Sequence, residues 1–459
     1  MSTAIRRADP KKRRFESFIG LDTNDVLDRC EEILQEKYGD STHDKRNLLS
    51  PKKVRAVCRV ISRLGLVSEL TDNLSPKKLP SRLNNFSSSF LLKVAKHSRS
   101  SCTTHDPKCA TCPLVSFCAF GVMRSAHSNN GKPLAIDLCS GAGALSAGFR
   151  QEGFHVVIAI EKDRHAAQSY RINNPGVPVI ETDIRSTSPS VILQILKLRR
   201  GAITALIAGP PCQGYSVAGP RKPRAARNFL FECVARIAKS LQAKIIAMEN
   251  VPGLRQVGGV SFENRILNSF KKAGYSGMSI TVNAEAFGVP QKRKRVIFIC
   301  TRSNYDLNTF VLRRPKFPTK PTVLNALKNL PCPTVGPLKL TNQSCQKLVL
   351  NHRAMAHSAK VIRKIRRIKH GEGPLSYRRL SSDLAHTIIA GHRAMPVHPR
   401  QHRTITVREA ARLQTLPDNF RFLGPHSVQP LQVANVVPYF LSRTIARSLL
   451  RWIENPVRD

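Results

Sequence analysis

Between residues 133 and 302 the chain alternates short apolar runs with amphipathic stretches. The apolar runs are rich in β-branched residues and read PLAIDLC, HVVIAI, VPVI, ITALIAG, KIIAM and RVIFIC. Between most of them lie helical patterns, among them ALSAGFRQEG, SVILQILKLRR and NFLFECVARIAKSLQ. This alternation predicts an α/β fold with a doubly wound, mostly parallel sheet, in which ligands bind at the carboxyl ends of the strands.

The rest of the chain divides around this unit. We predict a basic N-terminal arm with a helix over 1–50, a helical module over 51–122 and a polar linker over 123–132. Prolines interrupt the pattern after residue 302, and a basic, irregular region extends over 303–403. A C-terminal segment, 404–459, closes with an amphipathic helix.

The charge of the chain narrows the choice of partner. Its 74 lysine and arginine residues face only 30 aspartate and glutamate residues, for a net charge of +44. Such a field repels itself unless a polyanion neutralises it, so we expect nucleic acid as the partner. No apolar run approaches the ~20 residues that span a bilayer, and the N-terminus lacks a signal peptide's apolar stretch. We therefore expect a cytoplasmic, nucleoid-associated protein without a membrane partner, whose twelve cysteines stay reduced.

A cofactor site is predicted at the end of the first strand, AIDLCSGAG. Gly141 and Gly143 allow a tight turn against a ligand, Glu161 ends the second strand, and Asp183 follows the third. Glu161 can accept from ribose hydroxyls and Asp183 from an adenine amino group. A dinucleotide would call for a third glycine where this chain has Ser146, so S-adenosylmethionine, which has no pyrophosphate, is favoured. An ordinary tight turn between strand and helix remains the alternative.

A chemical site is predicted at the ends of the next two strands, GPPCQGYS and MENV. Two prolines restrict the backbone before Cys212, and Glu249 ends the neighbouring strand. A thiolate added to carbon 6 of cytosine makes carbon 5 nucleophilic, and a protonated carboxyl can donate to ring N3. Cys212 as nucleophile and Glu249 as donor therefore fit carbon methylation. The alternative for a single cysteine is a small buried apolar side chain.

Basic residues surround this predicted site. Arg293 and Arg295, from QKRKR, could hold the base carbonyl or a phosphate at the mouth of the last strand. The loop after the cysteine reads SVAGPRKPRAARN, and its cations are placed to grip DNA phosphates: Arg221, Lys222, Arg224 and Arg227. For any single one of these residues, a solvated surface charge is the alternative.

From about 133 to 459 the chain resembles the DNA (cytosine-5) methyltransferases. The motifs DLCSGAG, GPPCQGYS, MENVPGL, QKRKR, TVREAARLQTLPDNF and QVANVVP stand in that family's order. The resemblance implies catalysis by Cys212 and Glu249 with Arg293 beside them, on a base flipped out of duplex DNA. It also implies that 303–403 is a target-recognition domain and that the last helix returns to the sheet. The predicted cofactor-binding residues are then Asp137, Gly141, Gly143, Glu161, Asp183, Pro211 and Asn435.

The chain departs from the family's pattern at three places. Cys139 replaces an aromatic residue, Ala434 precedes Asn435 where the family has glycine, and the loop has AAR where an acidic residue is common. These changes bear on cofactor affinity and rate more than on reaction type. We expect a sequence-specific enzyme, as in restriction–modification, acting as a monomer on DNA. The alternatives are a transfer-RNA cytosine-5 methyltransferase and a catalytically weak DNA-binding protein on the same fold.

Four cysteines in the N-terminal module have the spacing C-x6-C-x2-C-x5-C: Cys102, Cys109, Cys112 and Cys118. Four thiolates so close in sequence fit one 4Fe–4S cluster or one zinc ion. The spacing resembles the cluster loop of endonuclease III-type glycosylases, and VRAVCRVISRLGLV resembles one of their helices. Val54 stands where those enzymes have a catalytic aspartate, so we predict a truncated, non-catalytic DNA-binding module held by the cluster. Zinc is the second choice and an unmetallated remnant the third.

Overall fold

The computed structural model of the protein describes the greater part of the chain from residue 118 onward. Described are single positions between 30 and 115 and the ranges 118–127, 130–211, 229–255, 262–302, 305–316, 320–335, 349–374, 377–389 and 395–454. Several predicted features lie outside these residues. They are the N-terminal arm's helix apart from Cys30 and Leu34, which are helical, and Val54, Cys212 and the loop cations Arg221, Lys222, Arg224 and Arg227.

A seven-stranded sheet forms the centre of the fold. The strands are β1 (Leu134–Leu138), β2 (His155–Ile160), β3 (Val179–Ile180), β4 (Ala205–Ala208), β5 (Ile245–Asn250), β6 (Ser276–Asn283), the short β7 (Gln291–Lys292) and β8 (Lys294–Thr301). All but β7 belong to the sheet, in the order β3-β2-β1-β4-β5-β8-β6. The pairs among β1 to β5 are parallel, whereas β8 runs antiparallel to both β5 and β6. The predicted mostly parallel α/β sheet is therefore confirmed.

Helices cover both faces of this sheet, because its strand residues point alternately to two apolar cores. The helices are α1 (Ala119–His127), α2 (Ala144–Gln151), α3 (Arg164–Asn173), α4 (Pro189–Leu196), α5 (Leu230–Leu241) and α6 (Phe262–Lys272). Ile136 and Leu206 point to the core formed with α1, α4, α5 and α6. Ala135 and Ile207 point to the core formed with α2 and α3.

Short elements follow the sheet in the C-terminal third. They are α7 (Val323–Leu327), β9 (Thr334–Val335), β10 (Arg353–Ala354), α8 (Ala359–Arg366), β11 (Ala385–His386), α9 (Val407–Leu413), α10 (Gln429–Asn435) and α11 (Tyr439–Glu454). Helix α11 closes the second core against α2, as predicted for the last helix. The two helices approach so closely that a side chain at Gly148 would collide with Ser442, whose hydroxyl donates to Leu145 O over 2.8 Å.

Packing does not break at residue 403, the predicted end of the target-recognition domain. A third core joins Ala142 and Ala144 of the first βα turn to Leu380, Ile388 and residues of α9 and α10. At the other boundary, the ring of Phe310 lies 5.3 Å from that of Trp452 in α11. Both flanks of 303–403 thus pack on the central unit, and its middle carries α8. Within the described residues, no helix is both long and apolar enough to cross a membrane.

Candidate active site

The turn after β1 forms an open cradle at the carboxyl edge of the sheet. Cys139, Gly141 and Gly143 all have positive φ, with values of 54°, 56° and 88°. Glu161, at the end of β2, accepts from Gly141 N through Oε2 and from Asp163 N through Oε1, both at 2.8 Å. A Cβ built on Gly141 would meet no atom within 4 Å. The turn is thus fixed by the carboxylate and keeps open space beside its backbone.

A buried polar chain lies behind this turn. Tyr170 Oη donates to Ser146 Oγ over 2.6 Å, and Ser146 Oγ donates to Asp137 Oδ2 over 2.5 Å. Burial raises the pKa of Asp137 to about 7, and the charge of Glu161 acts in the same direction. Among the described residues, Asp137 Oδ1 and Ser140 Oγ are buried without a hydrogen-bond partner. Unused acceptors beside an open turn fit a ligand that carries donor or cationic groups.

The third predicted cofactor carboxylate is already held by a neighbour. Arg185 donates to Asp183 through Nε and Nη2, over 3.0 and 2.7 Å, and Lys162 Nζ lies 3.7 Å away. The Arg185 hydrogen bonds lower the pKa of Asp183 to about 2, so the carboxylate is charged at neutral pH. Any ligand that binds Asp183 must therefore share it with Arg185 or displace it.

Arg236, on α5, fixes the loop that carries Asp183. Its guanidinium donates to the carbonyl oxygens of Ile184, Arg185 and Thr187, over 3.0, 3.3 and 3.1 Å. A cavity of about 240 Å³ lies at this junction, lined by Arg185, Phe229, Leu230, Glu232, Cys233 and Arg236. The sequence did not single out Arg236, because its partners lie some fifty positions earlier in the chain.

The cofactor carboxylates converge on Cys139. Burial raises the pKa of this thiol, and the charges of Glu161, Asp137 and Asp183 raise it further. Cys233, which lines the cavity at α5, also raises the pKa of Cys139. The acidic residues of three successive strands thus lie close enough to Cys139 for their charges to raise its pKa.

The adjacent edge carries Glu249 and Arg295. Arg295 Nε lies 2.6 Å from Glu249 Oε1, and the two side chains are only 9% and 12% exposed. Strand β4 lies between β1 and β5 and leads through Pro210 and Pro211 to Cys212. Position 212 is therefore the fourth residue after β4. The two strands beside β4 carry the glycine turn and Glu249. The ion pair thus lies at the same edge of the sheet as the cofactor cradle.

Comparison with known proteins identifies the family. Residues 134–451 match the C-5 cytosine-specific DNA methylase family. The chain belongs to this family. Type II methyltransferase M1.HphI of Haemophilus parahaemolyticus is 35% identical over 70% of this chain and 87% of its own length. M.DdeI of Desulfomicrobium norvegicum is 31% identical over 70% and 89%. A chain assigned as a DNA modification methyltransferase, encoded within an E. coli prophage, superposes with a TM-score of 0.58 at 28% identity, covering 70% of this chain and 99% of its own.

The protein is thus a DNA (cytosine-5) methyltransferase that uses S-adenosylmethionine. In this methyltransferase Arg293 lies close enough to Arg295 and Glu249 for their charges to act on its pKa, but its own hydrogen bonds go to another segment. Its side chain is 2% exposed, and Nη2 donates to Ala434 O and Val436 O, over 3.1 and 2.9 Å, while Nη1 lies 3.5 Å from Ile388 O. Burial lowers the pKa of this guanidinium. Nη1 and Nη2 thus face backbone carbonyls, whereas Nε has no hydrogen-bond partner within the described residues, and a contact of Arg293 with the base stays a prediction.

Those carbonyls flank Asn435, the last residue of α10. Asn435 is exposed, whereas Ala434 packs in the core that also contains Ala142 and Ala144. The end of α10 therefore shares a core with the glycine turn, and the approach of Asn435 to the cofactor stays a prediction. Arg293 holds this end in place through the residues on either side.

The structure does not support the predicted metal centre of the methyltransferase. Cys118 is buried and accepts from Gly121 N over 3.3 Å; burial raises its pKa, and Cys112, Cys102 and Cys109 act in the same direction. Cys112 Sγ lies 3.5 Å from His97 Nε2. The four thiols are thus close enough to influence Cys118. However, no three His, Cys, Asp or Glu side chains of the described residues are arranged to hold a metal ion.

Proposed function

We propose that the enzyme methylates carbon 5 of a flipped-out cytosine in duplex DNA, with Cys212 as the covalent nucleophile. The Cys212 thiolate adds to carbon 6 while Glu249 donates to ring N3, which makes carbon 5 electron-rich. S-adenosylmethionine supplies the methyl group when bound. A base then removes the carbon 5 proton, and Cys212 leaves as a thiolate. The observation that carries this proposal is the buried Glu249–Arg295 pair beside the end of β4.

Arg295 has a defined part in this proposal. Its Nε occupies Glu249 Oε1 at 2.6 Å, so Oε2 is the oxygen outside this ion pair that can serve the base. The guanidinium is planar and offers further donors, of which Nη1 is used on Lys294 O over 2.7 Å. Arg295, rather than Arg293, is therefore our candidate for the arginine that orients the catalytic carboxyl and contacts the base carbonyl.

For the cofactor we propose the residues around the open turn. Gly141 gives the close approach, Gly143 allows the turn to pack against Asn174 and Tyr170, and the unused acceptors Asp137 Oδ1 and Ser140 Oγ suit the cofactor's cationic and donor groups. Glu161 would accept from the ribose hydroxyls and Asp183 from the adenine amino group. Pro211 and Asn435 would close the site from the ends of β4 and α10.

Double-stranded DNA is the proposed substrate, bound by a monomer in the cytoplasm as part of a restriction–modification system. The curated relatives named above are Type II methyltransferases, which supports DNA rather than transfer RNA. We assign phosphate contacts to the loop cations Arg221, Lys222, Arg224 and Arg227, and sequence recognition to residues within 303–403.

The test is a trapped covalent complex. Duplex DNA that contains 5-fluorocytosine should form a denaturation-resistant adduct with the wild-type enzyme, because fluorine at carbon 5 blocks proton removal. The Cys212→Ser variant should bind DNA without forming the adduct or transferring the methyl group. Near wild-type turnover by this variant, or an adduct with transfer RNA but not with duplex DNA, would contradict the proposal.

For the N-terminal module we retain a 4Fe–4S cluster on Cys102, Cys109, Cys112 and Cys118 as the proposal, with zinc second. Support comes from the spacing and from the effect of three of these thiols on the pKa of the fourth. A cluster would stabilise the fold of a truncated, endonuclease III-like DNA-binding module. Anaerobic purification should yield brown protein with about four irons per chain and no glycosylase activity. Stoichiometric zinc, or no metal at all, would overturn it.

A further inference from the structure

Helix α8 presents an exposed cluster of positive charge that the catalytic site does not use. The stretch from 359 to 370 reads AKVIRKIRRIKH and contains six lysines and arginines with no acidic residue. All six are exposed: Lys360, Arg363, Lys364, Arg366, Arg367 and Lys369. Within the described part of the chain, none of the six takes part in an ion pair. We call these six residues the α8 cluster.

Four of the six cations of the cluster lie on one side of the helix. At about 100° per residue, Lys360, Arg363, Lys364 and Arg367 fall within an arc of about 100°. The opposite side carries Ile365, which is fully buried. The charges are thus held on a packed helix with a fixed outward face, unlike cations of an unstructured tail.

Arg379 ties this helix to the body of the protein. Its side chain is 4% exposed and donates to Ile365 O and Ile368 O, each over 2.7 Å, at the end of α8. The same guanidinium donates to His398 O and Gln401 O, over 2.8 and 3.1 Å. One buried residue therefore joins the end of α8 to the loop before α9.

The segment that contains Arg379 leads directly to the catalytic edge. A few residues later, β11 pairs with β7, and Thr387 Oγ1 donates to Lys292 O over 2.7 Å. Strand β7 immediately precedes Arg293 and Arg295. The α8 cluster is consequently held in a fixed relation to the site where the target base must be presented.

We propose that the α8 cluster grips the phosphate backbone of duplex DNA beside the target base. This inference rests on the proposed function and adds a surface to it. From residue 360 to 367 the helix rises about 10 Å. Duplex DNA carries one charge per ~1.7 Å of its axis, so about six phosphate charges lie alongside that length. The four cations of the outward face therefore meet enough phosphate charges for each to make a contact, and lysine and arginine on a helix face suit contacts that are independent of sequence.

The test removes four of these charges at once. In the cluster variant we replace the cations of the outward face by glutamine: K360Q, R363Q, K364Q and R367Q. A matched control removes four exposed lysines near the opposite, amino-end edge of the sheet: K239Q, K244Q, K271Q and K272Q. A third variant keeps the charge and exchanges the residue types: K360R, R363K, K364R and R367K. Circular dichroism checks that each variant folds.

The expected result is a selective loss of DNA affinity. Each lost contact reduces the magnitude of the slope of log K against log salt by about 0.9. The slope of the cluster variant should therefore be smaller by about 3 to 4, and the variant should bind DNA roughly 100-fold more weakly at moderate salt. The control and charge-exchange variants should stay within about threefold of wild type. At saturating DNA, the cluster variant should keep wild-type kcat and methylate the same sequence.

Four outcomes would overturn the inference. They are an unchanged salt slope, an equal loss in the matched control, a changed recognition sequence, and weaker binding of transfer RNA with unchanged binding of duplex DNA. An equal loss in the matched control would mean that net charge alone determines DNA affinity. A changed recognition sequence would mean that the cluster contacts bases rather than phosphates. None of these outcomes would contradict the assignment of Cys212, which the fluorocytosine adduct tests separately.

Discussion

The carboxyl group of Asp137 gives a quantitative prediction about stability and pH. It is fully buried near the end of β1, and its hydrogen-bond donor within the described residues is Ser146. Burial raises its pKa from an ordinary value of 3.8 to about 7. Between these values the folded protein keeps a proton that the unfolded chain has released, so stability falls as pH rises through this window. The loss is complete above pH of about 7.

The size of the effect follows from the shift. A difference of about three pKa units, at 1.36 kcal/mol each, is worth about 4 kcal/mol. Asp137→Asn removes the charge, keeps the shape and still accepts from Ser146. The variant should therefore be more stable than wild type by about 2 kcal/mol near pH of about 5 and by about 4 kcal/mol near pH of about 8.

Urea unfolding of both proteins at the two pH values measures this difference. Other titrating groups are common to both proteins and cancel in the comparison. If the asparagine variant is less stable than wild type at the higher pH, or if the advantage does not grow with pH, Asp137 is not a buried, unpaired carboxyl.

A second measurement concerns the cofactor. A cation bound at Asp137 Oδ1 causes the carboxyl group to release its proton, so S-adenosylmethionine should bind wild type more tightly as pH rises. Its affinity for Asp137→Asn should not depend on pH in this way.

Three further variants test the contacts around the site. Arg295→Gln leaves Glu249 partly buried without its partner, and should cost about 3 kcal/mol in unfolding free energy and most of kcat, with Arg295→Lys recovering part of both. Arg236→Met frees three carbonyls behind Asp183 and should raise the Kd for S-adenosylmethionine several-fold in equilibrium dialysis while leaving fluorocytosine trapping at saturation intact. Gly148→Ala should cost about 1 to 3 kcal/mol in urea unfolding, because its methyl group meets Ser442, and the cost of adding it should be smaller in a chain that already carries Ser442→Gly.

The buried strands could be predicted because hydrophobicity alone defines them. The run HVVIAI coincides with β2, and RVIFIC falls within β8. Strand β6 was not predicted, although Met278, Ile280 and Val282 alternate with polar residues along it. It lies at the edge of the sheet with most of its residues only partly buried, and such strands give a weaker pattern than the continuous apolar runs of buried ones.

The site could be predicted in part for a topological reason. Glu161, Asp183 and Glu249 end or follow the strands β2, β3 and β5, and parallel strands bring such positions to one edge without further information. Arg293 and Arg295 show the limit of this reasoning. They stand two positions apart and are both buried, yet one meets the carbonyls beside Asn435 and the other meets Glu249. Only partners far away in the sequence distinguish them.

The arginines of this protein have two physically different uses, and the net charge of +44 does not separate them. Arg293, Arg379 and Arg408 are almost completely buried and donate chiefly to backbone carbonyls of distant segments. The C-terminal third has short strands and little ladder hydrogen bonding, so its buried carbonyls need other donors, and a planar guanidinium can serve several at once. Such a residue acts as an internal cross-link and contributes little to the electrostatic field at the surface.

The exposed α8 cluster differs from these buried arginines in both respects. It has no ion-pair partner in the described part of the chain, and its full charge faces solvent. DNA binding should therefore follow the exposed cations, whereas folding of the C-terminal third depends on the buried ones.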